Sequence, residues 1–156
     1  MCPHRSASHR LRGPRTPQGS ARLCSGPVNK FTFVITAARF DESLTFYRDL
    51  LGMRLLEEWS DFGHGAVLEV LPGTVVELID SPTTRPHPAE ERTTFMGLEV
   101  TDPEAIHERL VAAGARVNGP PTAKPWGGRG FTAFDPEGMP VNVYTAYTDT
   151  GDGGVE

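Results

Sequence analysis

The sequence predicts an α+β fold: two tandem βαβββ modules whose curved mixed sheets surround a cleft. Two stretches, 31–56 and 94–117, share one pattern of alternating strand, acidic helix start, amphipathic helix, glycine and second strand. The glycines that end the two helices, Gly52 and Gly114, lie 62 residues apart. A repeat of this length indicates two copies of one supersecondary unit that bury their apolar faces together. A cleft between the copies would take equivalent strand positions from each.

The first module is predicted at 28–80. Its opening strand, near 30–36, alternates large apolar residues with smaller or polar ones, the period of two of a half-buried strand. A helix is predicted at 40–51, because its apolar residues form one stripe and its first turn is acidic. Gly52 then supplies a left-handed stop. Three further strands are expected near 53–60, 64–71 and 74–80.

The second module is predicted at 93–147, after a proline-rich linker at 81–92. It opens with a strand near 93–100. Its helix begins at Asp102-Pro103-Glu104, since aspartate caps helices and proline is tolerated in the first helical position. The helix ends at Gly114. Three further strands are expected near 115–119, 129–135 and 139–147, the last two joined by the turn Asp135-Pro136-Glu137-Gly138.

Both ends of the chain are predicted to lie outside the packed modules. Residues 1–27 hold five arginines and no acidic residue, and are too poor in apolar residues to pack, so they are expected to be a disordered leader. Such a composition also resembles a transit peptide, but prolines interrupt any amphipathic helix, which favours a non-folding extension. The tail at 148–156 is rich in glycine and aspartate and is expected to be flexible.

The charge and cysteine distributions narrow the class of function. The net charge of the chain is −5. Residues 28–156, without the leader's five arginines, contain ten basic and 20 acidic residues. An acidic domain argues against a nucleic-acid partner and suits a cationic small molecule. No apolar run reaches the roughly 20 residues of a membrane span, so no membrane partner is expected. Cys2 and Cys24 both lie in the leader, which favours a reducing cytoplasm over a disulfide-stapled fold.

Strand parity separates the residues that face the helices from those that face the cleft. In the first module, Ile35 and Leu78 are expected to face the helix. In the second, Val141 and Val143 are expected to do so. The cleft-facing set predicted by the same alternation is Thr32, Val34, Val75, Glu77, Ile79, Phe95, Gly97, Glu99, Asn142 and Tyr144.

Four segments carry a resemblance to a known family. They are SLTFYRDLLGM at 43–53, VVELID at 75–80, PWGGRGF at 125–131 and FDPEGMPVNVY at 134–144. Together they resemble the vicinal oxygen chelate superfamily, which includes glyoxalase I, extradiol dioxygenases, fosfomycin-resistance enzymes and bleomycin-resistance proteins. The resemblance covers about 28–147. It implies paired βαβββ modules around a cleft that binds or transforms a small molecule.

The resemblance also implies four equivalent cleft positions, one on each of four strands. Metal-dependent members carry His, Gln or Glu there, whereas the matching positions here are Thr32, Glu77, Phe95 and Asn142. A catalytic divalent ion needs about three strong ligands, and a phenylalanine supplies none. We therefore expect no metal and no other cofactor. Histidines outside these positions are expected to face solvent rather than to act as ligands: His64, His87 and His107.

A cleft without a metal, with aromatic walls and one carboxylate, is typical of a binding site. Aromatic rings stack planar ligands, and Glu77, with nearby carboxylates such as Glu57, would hold a cationic group. This pattern is similar to the bleomycin-resistance branch, which sequesters a cationic antibiotic without making or breaking a bond. Besides Thr32, Glu77 and Asn142, the predicted ligand-binding residues are the aromatic ones: Trp59, Phe62, Phe95, Trp126, Phe131 and Tyr144.

Several alternatives stay open at this level. The chain is alternatively a lyase, isomerase or dioxygenase of the same superfamily, either metal-dependent or metal-free with Glu77 as general base. Glu77 could instead form a salt bridge with Arg129, and Phe95 could plug an unused cavity. Trp59 and Phe62 could pack at a strand end or at a dimer seam. Family members often complete the cleft with a partner chain, so a homodimer is expected, with either intrachain or swapped pairing of the modules.

Overall fold

The computed structural model describes residues 28–85, 88, 91–125 and 127–146. The predicted leader and tail lie outside these residues. The first module contains β1 (Phe31–Ala37), α1 (Phe40–Thr45), β2 (Arg54–Trp59), β3 (Gly65–Leu71) and β4 (Thr74–Asp80). The second contains β5 (Met96–Glu99), α2 (Pro103–Ala112), β6 (Arg116–Val117), β7 (Thr122–Ala123), β8 (Arg129–Phe134) and β9 (Pro140–Tyr144). The predicted α+β class is confirmed, and β7 is an unpredicted two-residue strand.

Each module builds one mixed sheet. The first has the strand order β1-β4-β3-β2, and the second has the order β5-β9-β8-β6 with β7 also paired to β8. In each sheet the module's first strand runs parallel to its last, as β1 to β4 and β5 to β9. The other pairs are antiparallel. The registers are equivalent as well, since Val34 lies beside Glu77 and Gly97 lies beside Asn142.

The first helix changes geometry halfway along. After α1 the chain continues as a π-helical turn over Phe46–Leu50. The Leu51 N–H accordingly donates to the Phe46 carbonyl oxygen, five residues back, at 3.0 Å. Phe46 and Tyr47 are both buried, with their rings edge to face at 5.1 Å between centroids. The predicted left-handed stop is present, because Gly52 has a φ of 79°.

One continuous hydrophobic core joins the two modules. It contains the helix-facing residues of both sheets, including Ile35 and Leu78 from the first and Val141 and Val143 from the second. Residues of both helices, such as Leu44 and Leu110, belong to the same core. The predicted inward parity of these strand residues is therefore confirmed. Because the helix side of each sheet is used in this shared core, the opposite face of each sheet lies outside it.

The turn between β8 and β9 ties the modules together through buried polar groups. The Tyr47 hydroxyl donates to Asp135 Oδ2 at 2.8 Å, and Asp135 Oδ1 accepts the Met139 N–H at 2.6 Å. Glu137, only 1% exposed, accepts the Arg39 N–H at the start of α1 at 2.8 Å. A turn motif of the second module therefore anchors the helix of the first.

Within the described ranges, neither helix has the length and apolar character that a bilayer crossing requires.

Candidate functional site

The face of the first sheet that points away from the core has a defined row structure, and we call it the first open face. Residues opposite one another on neighbouring strands share a face of a sheet. Apart from Gly65 and Val75, which are buried, its members are half-buried or exposed. The register gives three rows: Thr32, Val75, Glu69 and Arg54; Val34, Glu77, Val67 and Glu57; and Thr36, Ile79, Gly65 and Trp59.

Glu77 occupies the centre of the first open face. It is half-buried between Val34 on β1 and Val67 on β3, with Glu57 beyond Val67 in the same row. No side chain of the described residues forms an ion pair or hydrogen bond with it. Arg129, the alternative partner suggested by the sequence, instead donates from Nε to Glu104 Oε1 at 2.9 Å. The Glu77 carboxylate therefore stands unpaired between two apolar neighbours.

The rows on either side of Glu77 differ in character. In one, Arg54 donates from Nε to Glu69 Oε2 at 3.0 Å, so this carboxylate is neutralised within the face. In the other, the Trp59 indole lies directly over Gly65, where a Cβ would come within 2.2 Å of the ring. Trp59 thus covers the sheet surface at the rim of the first open face.

The outward face of the second sheet, which we call the second open face, holds a cavity of about 710 Å³. This volume falls in the range of small-molecule sites. The register places Gly97, Asn142 and Thr132 in one row, and Glu99, Tyr144, Gly130 and Thr122 in the next. Aromatic, charged and polar side chains among those that line the cavity are Phe95, Glu99, Lys124, Thr132, Asn142 and Tyr144.

Polar and aromatic groups are arranged in order on the second open face. The Thr132 hydroxyl donates to Asn142 Oδ1 at 2.8 Å, which orients the amide. The Tyr144 ring lies beside Gly97, at 3.5 Å from the position a Cβ would take there. Phe95 is 62% exposed, so it offers its ring at the surface rather than filling a closed cavity.

The structure brings together only part of the predicted site. Phe95 and Asn142 line the cavity on the second open face, and all of the described residues that line it lie within 95–146. Thr32 and Glu77 lie on the first open face, which belongs to the other sheet. The four equivalent positions therefore form two separate pairs within one chain, because both sheets turn their helix sides to the shared core.

The remaining predicted aromatic residues fall in three different environments. Phe62 is 99% exposed at the turn after β2. Phe131 is 2% exposed and belongs to the core, with its ring 5.1 Å from that of His107 on α2. Its parity on β8 is opposite to that of Thr132, so its side chain is on the helix side of the sheet. Trp126 lies outside the described residues.

The described residues do not converge on a metal. No group of three or more His, Cys, Asp or Glu side chains in the described ranges could hold one. His64 instead stacks on Phe40, with 4.0 Å between ring centroids, and its Nε2 lies 3.0 Å from Glu58 Oε1. The residues at the four equivalent positions, Thr32, Glu77, Phe95 and Asn142, fit a resident metal poorly for the same chemical reason that the sequence indicated.

A second cavity, of about 790 Å³, lies away from both open faces at the seam of the modules. Its charges are mixed, with Arg39, Asp41, Glu42 and Arg116 among the lining residues. The Arg39 guanidinium lies 3.4 Å from Glu42 Oε2, and the Arg116 guanidinium lies 4.2 Å from the centre of the Phe134 ring. These cations already have contacts, so the larger cavity offers a ligand less than the second open face does.

Sequence reasoning missed one side chain that matters on the open faces and left the exact place of another open. Lys124 lines the cavity on the second open face, although it follows a two-residue strand that no pattern predicted. Glu57, a carboxylate that the sequence suggested near Glu77, shares its row because a bulge between Leu55 and Glu57 shifts the register of β2. The order of charges along β2 contained no signal for that shift.

Comparisons with known proteins identify the chain's relatives. A family model described as Glyoxalase/Bleomycin resistance protein/Dioxygenase superfamily matches residues 31–143. No curated protein matches the chain.

Solved structures show the same fold at low sequence identity. A glyoxalase/bleomycin resistance protein/dioxygenase from Nocardioides is 22% identical, with a TM-score of 0.60, over 85% of this chain and 91% of that one. A glyoxalase/dioxygenase from Nostoc punctiforme is 17% identical, with a TM-score of 0.63, over 89% and 100%. TioX from Micromonospora sp. ML1 is 24% identical, with a TM-score of 0.56, over 74% and 97%.

Proposed function

The chain belongs to the Glyoxalase/Bleomycin resistance protein/Dioxygenase superfamily, and on that premise we propose that it binds and sequesters a planar, cationic small molecule such as an antibiotic. The observation that carries the proposal is the cavity on the second open face, where the Tyr144 ring and the Glu99 carboxylate lie in one row. A ring that stacks and a carboxylate that pairs are the two contacts that such a ligand requires. No metal takes part in this binding.

Glu77 supports the same function from the other sheet. An unpaired carboxylate between apolar side chains is costly unless a cation meets it. Its neighbours Val34 and Val67 would be desolvated by any ligand or chain that covers the first open face, which strengthens the attraction for a cation. Glu57, in the same row, adds a second negative charge.

A homodimer is part of this proposal. The open faces lie outside the shared core, and each carries exposed apolar side chains, with Val34 50% exposed on the first and Phe95 62% exposed on the second. Pairing the first open face of one copy with the second open face of another would bring Thr32 and Glu77 opposite Phe95 and Asn142. Two such clefts form at once by two-fold symmetry. A cytoplasmic location remains part of the proposal, on the basis of cysteine usage.

The second candidate is a metal-free lyase or isomerase with Glu77 as general base. The observation that favours it is the apolar flanking of Glu77, since such an environment suits a carboxylate that removes a proton. A dioxygenase or metal-dependent isomerase is less compatible with the donor set, because Phe95 replaces one ligand and Thr32 and Asn142 are weak ones.

Binding is tested by isothermal titration and thermal shift with bleomycin and with ethidium, a flat aromatic cation. Tyr144→Ala and Glu77→Gln should each weaken binding about tenfold or more, because they remove a stacking ring or a charge pair. Glu108→Gln, an exposed change on α2, is the matched control and should leave binding unchanged. Light scattering should give the mass of a dimer. Absence of binding by both probes, or retention of full affinity in Tyr144→Ala, would contradict the proposal.

A further inference from the structure

Lys124 is a cation on the wall of the same cavity. It is half-buried, and its side chain forms no hydrogen bond or ion pair with the described residues. Its backbone is engaged on both sides, because its N–H donates to the Gly128 carbonyl at 3.1 Å and its carbonyl accepts the Gly127 N–H at 3.0 Å. The structure thus fixes the main chain at Lys124 and leaves the ammonium available to the cavity.

The segment that carries Lys124 is held firmly against β9. The Arg129 N–H donates to Thr145 Oγ1 at 2.9 Å, and the Thr145 N–H donates to the Arg129 carbonyl at 2.8 Å. Gly128 has a φ of 74°, and a Cβ there would lie 2.6 Å from the Thr145 carbonyl oxygen. Only glycine allows this close approach. The position of Lys124 at the cavity edge is therefore built into the backbone.

Glu99 lies at the opposite edge of the same cavity. Glu99, Tyr144, Gly130 and Thr122 are successive neighbours in one row across four strands, and Lys124 follows two residues after Thr122. Three interstrand steps of about 4.8 Å place the two edges about 14 Å apart. No ion pair joins Glu99 and Lys124, so a ligand that covers both side chains would have to bring a counter-charge to each.

A flat surface lies between these two charges. The Tyr144 ring lies next to Glu99 in the row, and Gly97, without a side chain, leaves room for that ring beside it. Asn142, held by Thr132, lines the same cavity and adds amide hydrogen-bonding capacity. From one edge to the other the second open face therefore presents a carboxylate, an aromatic ring with an amide in the neighbouring row, and an ammonium.

We propose that the ligand of the second open face is a zwitterion with a flat middle, whose cationic end meets Glu99 and whose anionic end meets Lys124. This inference rests on the proposed function, since it takes the cavity as the ligand site. The physical reason is desolvation: a ligand that covers both side chains must replace the water around each charge with an opposite charge. A ligand with a cation alone would leave Lys124 covered and unpaired, and this mismatch gives the site its selectivity.

The test uses three matched probes with one rigid biphenyl body. The zwitterion carries an aminomethyl group at one para end and a carboxylate at the other. Its methyl ester keeps only the cation, and its N-acetyl derivative keeps only the anion. We expect the zwitterion to bind wild-type protein about tenfold or more tighter than either singly charged probe, measured by isothermal titration.

Variants assign each charge to one residue. In Lys124→Met the zwitterion should lose its advantage over the ester and keep its advantage over the N-acetyl probe. In Glu99→Gln the opposite should hold. Glu108→Gln, on the exposed side of α2, should retain the wild-type order of affinities. The three variants change exposed or half-buried side chains without other contacts, so thermal unfolding should show that all of them fold.

The outcomes separate this inference from the function on which it rests. If the zwitterion and the ester bind equally well, and Lys124→Met changes neither affinity, the zwitterion assignment is wrong while binding of a planar cation stands. If none of the probes binds, and bleomycin and ethidium also fail, both the inference and the proposed function are wrong. If all three bind equally in every variant, the cavity does not select by charge and the inference is overturned.

Discussion

The two helices begin in different ways, although they hold the same place in their modules. The α2 helix is capped locally, because the Asp102 carboxylate accepts the Ala105 N–H, three residues on, at 2.9 Å. The α1 helix has no side-chain cap of its own. The Arg39 N–H at its start donates instead to Glu137, 98 residues away. The first helix therefore depends on the second module for a bond that the second helix makes by itself.

The same asymmetry appears near the helix ends. Tyr47 and Arg109 hold equivalent positions, each five residues before the glycine that ends its helix. Tyr47 is fully buried and donates to Asp135 of the second module at 2.8 Å. Arg109 is exposed and donates to the Leu50 carbonyl of the first module at 3.2 Å. The coupling between modules is thus concentrated in the buried turn between β8 and β9.

Among the changes predicted here, replacing Glu137, which bonds to the start of α1 from the second module, should lower the free energy of unfolding most. Glu137→Ala removes a buried side chain and leaves the Arg39 N–H without its acceptor, so we expect the free energy of unfolding to fall by about 3 kcal/mol. Asp102→Ala, the local cap, should cost about 1 kcal/mol. Urea unfolding followed by circular dichroism measures both.

The conservative variant Glu137→Gln removes the negative charge of the side chain but keeps an oxygen that can accept the Arg39 N–H. It keeps an acceptor and the side-chain shape, so it should retain most of the stability that Glu137→Ala loses. Equal losses in Glu137→Ala and Asp102→Ala would show that the first helix does not depend on the second module. Loss of only the first-module signal, with the second module still folded, would contradict one shared core.

A second comparison uses one glycine from each sheet. Gly65 and Gly130 hold equivalent positions on the open faces, but a Cβ meets different obstacles. At Gly130 it would lie 2.6 Å from the Val143 carbonyl oxygen and 2.8 Å from Tyr144 Cβ, whereas at Gly65 it meets the Trp59 ring. Backbone between paired strands moves less readily than a rim side chain.

We therefore expect Gly130→Ala to destabilise the protein by about 2 kcal/mol and Gly65→Ala by about 1 kcal/mol. Thermal unfolding measures the difference. Gly65→Ala should in addition shift the tryptophan fluorescence, because Trp59 must move, while Gly130→Ala should leave it close to that of the wild type. A larger loss in Gly65→Ala would mean that the Trp59 ring is held more rigidly than the strand β9.

The repeat and the strand parity of the sequence predicted the fold well, because both depend on local periodicity. Alternation placed Ile35, Leu78, Val141 and Val143 on the core side, where they lie. The π-helical turn after α1 and the cap by Glu137 were not predictable from that pattern. The turn rests on a hydrogen bond between Leu51 and Phe46, and the cap on one between residues 98 apart, and apolar periodicity records neither.

The candidate site was predicted only in part, for the same reason. Parity identified the open-face positions of Glu77, Asn142 and Tyr144. Phe131 was included for its aromatic character, although its alternation with Thr132 already indicated the core side. Lys124 enters the cavity through a loop whose path is set by Gly128 and Thr145, and no single-sequence pattern fixes such a path.

The smallest effect at neutral pH, and the most specific, concerns Tyr47. Burial first, and then the nearby Asp135 carboxylate, raise the pKa of the Tyr47 hydroxyl well above its usual value. The unfolded chain loses the proton near pH 10 while the folded chain keeps it, so this contribution to stability is complete below about pH 10 and is lost as pH rises beyond it. We expect Tyr47→Phe to cost about 1 kcal/mol at pH 7, because Asp135 loses a donor.

Above about pH 10 the two proteins should converge. The free energy of unfolding of the wild type should fall with pH more steeply than that of Tyr47→Phe, as measured by urea unfolding at a series of pH values. Tyr144→Phe removes a hydroxyl outside the buried turn and should follow the wild-type profile. Parallel profiles for wild type and Tyr47→Phe would show that the hydroxyl is not held in the buried contact with Asp135, and the strongest link between the modules would then rest on Glu137 alone.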